Sequence, residues 1–160
     1  MFEIFHIMVL SMLPVIELRG AIPYAMAVYG FSAWSAFFIA LIGNIIPALI
    51  LVPFIGGVGE FFSEKSDLWK RFYPRFLART RDNHQKKFEM FKEFSLVALV
   101  AIPLPLTGVW TASLVAYIFG IPFRKAIPLM FIGVIIAGTI VTLATMGFIT
   151  LFSLGGAVQI

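Results

Sequence analysis

Residues 20–59, 94–123 and 126–160 contain no Lys, Arg, Asp or Glu. Each run is longer than the roughly 20 apolar residues that carry a helix across a bilayer. A chain of 160 residues, 61% of them hydrophobic and 12% charged, has too little interior to enclose so much apolar side chain. Lipid must solvate the surplus, so the chain reads as an all-α integral membrane protein. The start, Met1-Phe2-Glu3-Ile4-Phe5-His6, has an acid where a secretory signal has bases and shows no small-residue cleavage motif, so it is expected to belong to the fold. The lack of cysteine excludes disulfides, thiolate metal sites and cysteine nucleophiles.

The apolar sequence is broken in two corresponding places. The first break, Leu13-Pro14-Val15-Ile16-Glu17-Leu18-Arg19-Gly20-Ala21-Ile22-Pro23, carries two opposite charges. The second, Ile102-Pro103-Leu104-Pro105-Leu106-Thr107-Gly108, carries a hydroxyl instead. From Phe2 to Leu13 there is only about 18 Å of helix, too short for a hydrocarbon core of roughly 30 Å. Residues 2–30 therefore predict a hairpin that enters and leaves on one side, and residues 94–120 predict a second. A longer run suited to a full span follows each, residues 33–55 and 126–152. Hairpin plus span recurs with an offset of 90 residues when Gly30 is aligned with Gly120, giving repeats at 1–58 and 94–155. With one crossing per span the second unit begins on the face opposite the first, so the fold class expected is an inverted repeat of re-entrant helical hairpin plus transmembrane helix. Broken backbone at membrane depth needs protein or water around it, and each break would supply the other's partner. Four ordinary spans are the competing topology.

Charge gathers between the repeats. Nine of the 12 basic residues lie between Glu60 and Glu93, and two more are Arg124 and Lys125. The positive-inside bias puts the 60–93 connector on the cytoplasmic side, with both termini and the Gly30-Phe31-Ser32 turn outside. This accounts for the basic pI without nucleic acid as a partner. Within the connector, Leu68, Trp69, Phe72, Phe76 and Leu77 oppose Lys70, Arg71, Arg75 and Arg79 at helical spacing. That pattern suits a surface amphipathic helix bent or ended near Pro74, and equally a solvated connector packed on the protein body. A further helix is expected from about Asn83, carrying Phe88 and Phe91 into the next apolar run.

Ionisable residues in lipid usually face a partner, a cavity or a substrate path, which makes Glu17 and Arg19 the first candidates for function. Returning half-helices starting near Ala21 and Val109 would point free N–H groups and positive dipole ends at an anion. Arg19 adds a planar donor fork suited to phosphate or carboxylate. Thr107, Gly108, Thr111 and Ser113 complete the candidate substrate-binding set, with Asn44 and Trp110 as accessory residues. Glu17 is also the candidate for proton coupling: desolvation opposes its charge and Arg19 favours it. Each has a structural reading beside the functional one. Glu17 and Arg19 could brace a strained turn, Thr107, Thr111 and Ser113 could cap or back-bond, and Trp110 could simply pack. Asn44 is expected to satisfy the carbonyl freed by Pro47 or to bond across helices. Gly133, Ala137, Gly138, Thr142 and Thr145 form a small-residue face for close packing within the chain or across a homodimer. His6 and His84 are too few for a metal site. No phosphate loop, Ser-His-Asp set or paired-carboxylate motif is present, so neither an enzyme nor a cofactor is expected.

The block from Pro14 to Pro23, Gly43-Asn44 with Pro47, and Pro103-Leu104-Pro105-Leu106-Thr107-Gly108 resemble the small multidrug export protein family, short membrane proteins of bacteria and archaea. The layout is more remotely similar to the DedA or VTT superfamily. That similarity implies paired re-entrant hairpins, essential embedded acidic and arginine residues, and transport of lipids such as undecaprenyl phosphate. Carried over, Glu17 takes the role of the embedded acid and Arg19 that of phosphate recognition. This chain is shorter than the DedA pattern and has no second acid in its apolar runs. Three readings follow: a transporter of an amphipathic anion such as a polyprenyl-phosphate lipid, with anionic membrane lipids as partners; an exporter of small cationic drugs using Glu17 and aromatic rings; and a membrane scaffold acting through the basic connector.

Overall fold

The computed structural model describes residues 1–65, 85–103 and 107–156, with side chains for 1–55, 91–103 and 107–153. Among the described residues there are six helices and no strand: α1 (Phe2–Met12), α2 (Glu17–Val28), α3 (Ala33–Lys65), α4 (Gln85–Ala101), α5 (Val109–Ile118) and α6 (Phe123–Gly156). The amphipathic stretch expected around Pro74 lies outside the described residues, as do Leu104, Pro105 and Leu106 of the second break.

Helix lengths follow the breaks. α1, α2 and α5 have 11, 12 and 10 residues, about 15–18 Å each at 1.5 Å per residue, so none of them crosses a hydrocarbon core. α3 and α6 contain apolar spans long enough to do so, Ala33–Ile55 and Phe123–Ser153. Two boundaries differ from the sequence expectation and one agrees with it. α2 opens at Glu17 and not near Ala21, because the Leu13–Ile16 turn closes early, the Glu17 N–H donating to the Leu13 carbonyl at 2.9 Å. α4 runs without interruption from Gln85, close to the helix expected from about Asn83 to carry Phe88 and Phe91 into the next apolar run. α6 begins at Phe123 instead of Ala126, since Pro122 is well suited to precede a helix start.

α3 is the hub, packed against α1, α2, α5 and α6, while α4 lies along α6. Contacts are built on small residues. Ala21, Ala25, Ala36, Ala40, Ala112 and Ala126 are fully buried, which lets backbones approach closely where dispersion and hydrogen bonding replace the hydrophobic drive. A Cβ on Gly43 would come within 2.6 Å of the Met8 carbonyl oxygen, so α1 and α3 touch backbone to backbone. Next to this contact the Ser11 hydroxyl donates to the Ala40 carbonyl at 2.5 Å. Gly133 seats Val100 and Gly138 seats the Phe37 ring, so this part of the small-residue face of α6 is used within the chain. Large apolar side chains, by contrast, point outward: Trp34, Phe38, Ile42, Ile50 and Phe54 are all more than half exposed. Bulky apolar side chains such as Ile7, Ile22, Leu96 and Met130 are buried as well, and the many left outside suit a body surrounded by lipid.

Candidate functional site

The two helix breaks meet, and each cares for the other's loose ends. Glu17 opens α2 with φ 47°, a left-handed conformation that costs a residue with a Cβ about 1–2 kcal/mol. Its side chain reaches across to the second break, where the carboxylate accepts the backbone N–H groups of Val109 and Trp110, the first two residues of α5. Those are orphan donors of a helix N-terminus, and a negative group there also suits the dipole. Glu17 is only 4% exposed. Its approach requires Gly108, whose φ of 127° and ψ of −160° fall in a region essentially restricted to glycine. A Cβ at Gly108 would overlap the Glu17 carboxylate.

Arg19 serves the opposite pole. Its Nη2 donates to Thr107 Oγ1 at 3.0 Å and at 3.4 Å to the carbonyl of Ile102, just past the C-terminus of α4. Thr107 Oγ1 donates to the same carbonyl at 3.0 Å. The guanidinium and the Glu17 carboxylate come no closer than 3.9 Å, near enough for charge attraction but not for a hydrogen bond. The third link runs the other way: the Trp110 indole N–H donates to the carbonyl of Met12, the last residue of α1, at 3.0 Å. The carboxylate thus meets a helix N-terminus, and the guanidinium and the indole meet carbonyls at helix C-termini.

The structure brings Glu17, Arg19, Thr107, Gly108 and Trp110 together. It gives Thr111 a half-buried place on the first turn of α5. Ser113 is fully buried and donates to the Val109 carbonyl at 2.7 Å, the back-bonded alternative foreseen for it. Asn44, 1% exposed, makes neither bond expected of it: both polar atoms of its amide lack a hydrogen-bond partner among the described residues. The expected free N-terminus at Ala21 is corrected by the earlier start of α2. At Val109 the N-terminus is present but filled by Glu17. Sequence reasoning missed the cap made by Glu17 and the link through Trp110. The signal available for the first was Gly108 directly before a helix, with a lone acid in the other break.

At the open end of the first pair, His6 Nδ1 lies 2.7 Å from the Tyr29 hydroxyl, and the His6 ring stands 5.7–6.0 Å from the rings of Phe2, Tyr24 and Tyr29. Midway along α4, Glu93 pairs with Lys125 of the first turn of α6 at 2.9 Å on a partly exposed surface. Among the described residues no group of His, Asp and Glu is arranged to hold a metal ion.

No curated protein and no solved structure matches the chain. Residues 17–140, more than three quarters of the sequence, match the family described as "Putative small multi-drug export protein". That stretch begins at Glu17, inside the first break, and contains the second break, α3 and the packed part of α6. The chain belongs to this family of small membrane export proteins.

Proposed function

We propose that the protein translocates an amphipathic anion across the membrane, with a polyprenyl-phosphate lipid as the first substrate class, and that the junction of the two breaks is its recognition site. In this reading the pairs α1/α2 and α4/α5 are re-entrant hairpins entering from opposite leaflets. The three helices too short to span support it, as does the need of each broken backbone for a partner at depth. One observation carries the proposal: the seat of the Glu17 carboxylate is an anion site, two helix N-terminal N–H groups beside a guanidinium, enclosed in apolar sequence. A substrate phosphate can take the acceptor role of Glu17 and engage Arg19 and Thr107 at the same time. Displacement leaves Glu17 without its donors, which is the step where a proton would enter the cycle.

The test is flipping of a fluorescent polyprenyl phosphate in proteoliposomes, with a cationic dye assayed in parallel. Arg19→Ala should lower the lipid rate at least tenfold in protein that still folds and inserts, and Glu17→Gln should flatten its pH dependence. Unchanged lipid flipping in Arg19→Ala would refute the assignment. The family's description, multi-drug export, favours a second reading, which we take as export of small cationic drugs. It would require Glu17 to receive the cation, although that carboxylate already serves two N–H donors. Dye transport without lipid transport would support this second reading.

A further inference from the structure

Asn44 sits on the hub helix with both polar atoms of its amide enclosed and without a hydrogen-bond partner among the described residues. An amide sealed in apolar packing is unfavourable unless it is bonded, so it calls for a partner that the closed fold does not supply. Its depth is fixed by the neighbouring contacts. The Ser11 hydroxyl donates to the Ala40 carbonyl, and a Cβ on Gly43 would lie 3.1 Å from Ser11 Cβ. Asn44, next to Gly43, is therefore level with the last turn of α1. Met12, one residue beyond Ser11, accepts the Trp110 indole of the junction. α3 also packs on α2 and α5, the helices that begin at the junction with Glu17 and Val109. The orphan amide thus lies at the depth of the anion seat, on the helix against which both broken pairs rest.

An amide has one end that donates and one that accepts, so a partner that satisfies both must do both in return. A metal cation would meet only the carbonyl oxygen, and a phosphate dianion only the NH2 group. A singly protonated phosphate meets both, its P–O–H donating to Asn44 Oδ1 while a bare oxygen accepts from Nδ2. Charge points to the same form. Arg19 is the only Lys or Arg in residues 1–59 and 94–123. Once displacement has let Glu17 take up a proton, that guanidinium balances one negative charge, and a dianion would leave a second one buried. We propose that Asn44 is a specificity-determining residue that holds the phosphate head group in its singly protonated form. This rests on the transport reading and adds to it the ionisation state that the site accepts. The head group reaches the amide when the tips part. Among the helices packed on α3, Glu3, His6, Tyr24, Tyr117, Arg124 and Lys125 lie a turn or more from the junction, so Glu17 and Arg19 are the charged groups that face it.

The test is calorimetric binding of two probes, farnesyl phosphate and its methyl diester, to the full-length protein in nanodiscs at about pH 6 and about pH 8. The diester carries one negative charge at both values and has no P–O–H. Titration of Glu17 acts on both probes alike, so the ratio of their affinities reports the second proton of the monoester, which leaves near pH 6 in water. Wild type should bind the monoester at least tenfold tighter than the diester at about pH 6, and that preference should fall at least tenfold at about pH 8. Asn44→Leu, folded with a thermal midpoint no lower than wild type, should bind the two probes within about twofold of each other. Asn44→Ala should do the same, which separates loss of the amide from the bulk of leucine. Equal binding of both probes by wild type overturns the inference and leaves the anion seat standing, as does a preference that persists at about pH 8 or in both variants. Failure of wild type to bind either probe removes the transport reading, and this inference with it.

Discussion

Gly108→Ala tests the contact on which the site rests. The backbone at Gly108 lies in the region where a residue with a Cβ is strained by about 1–3 kcal/mol. The new Cβ would lie 2.6 Å from Glu17 Cδ and overlap its oxygens, so the carboxylate must leave. Leaving breaks two hydrogen bonds to a charged acceptor, each contributing about 1.5–3 kcal/mol. The single variant should thus lose several kcal/mol. With Glu17→Ala already present there is no carboxylate to displace, so adding Gly108→Ala should cost only the backbone strain. Unfolding of all four proteins of the cycle, followed by circular dichroism during SDS titration, should give a coupling of about 3 kcal/mol or more. Additivity within about 0.5 kcal/mol would mean that the two residues do not meet, and the anion seat would fall with them.

Three further outcomes follow from the same coordinates. Trp110→Phe keeps most of the ring but removes the donor to the Met12 carbonyl, and should lower stability by about 1–3 kcal/mol in the same unfolding assay. Gly43→Ala pushes a methyl into the Met8 carbonyl of α1, backbone against backbone, and should cost about 1–3 kcal/mol through separation of α1 from α3. Asn44→Leu has no hydrogen bond to lose among the described residues, so its thermal midpoint should equal or exceed that of wild type. A clear drop would mean that the amide is bonded.

Where the chain turns could be read from the sequence, because Pro and Gly act locally and interrupted apolar runs show their length directly. Pro14 and the Pro103–Gly108 stretch mark the two turns, and the spans expected at 33–55 and 126–152 follow from charge-free length alone, although α6 starts three residues earlier. Prolines inside helices gave no comparable guidance: Pro23, Pro47 and Pro128 lie within α2, α3 and α6, where neighbouring helices support the backbone. The helix leading into the second break was legible despite its charge: Lys and Glu are good helix formers, and α4 runs from Gln85 through residues 86–93 as the helix expected from about Asn83. Of the site, the residue set was visible but not its wiring. Nothing local to Glu17 specifies that its carboxylate reaches the N-terminus of a helix 92 residues away in sequence, at Val109. Asn44 illustrates the converse: the sequence supplies a polar group beside Pro47, and in the fold its buried amide finds no partner among the described residues.

The two breaks differ in a way that also explains why one acid and one arginine suffice. Side-chain charge comes entirely from the first break, and the second answers with backbone N–H groups, a carbonyl, a hydroxyl and an indole. Duplicating the charges would place like charges near each other in an apolar setting, with nothing gained for the helix ends already capped. This division of labour makes the junction cooperative. Separating the tips removes the Glu17 cap from α5, the Arg19 donor from Ile102 and the Trp110 donor from Met12 together; Ile102 keeps Thr107 as a donor, while the α5 N–H groups and the Met12 carbonyl lose partners that lipid cannot replace. Under the transport reading, a phosphate entering between the tips would replace the Glu17 acceptor and hold Arg19, but it would offer the Met12 carbonyl no donor. In that reading the bond from Trp110 to Met12 is therefore the one that a bound anion must leave intact, and opening should pivot about that contact.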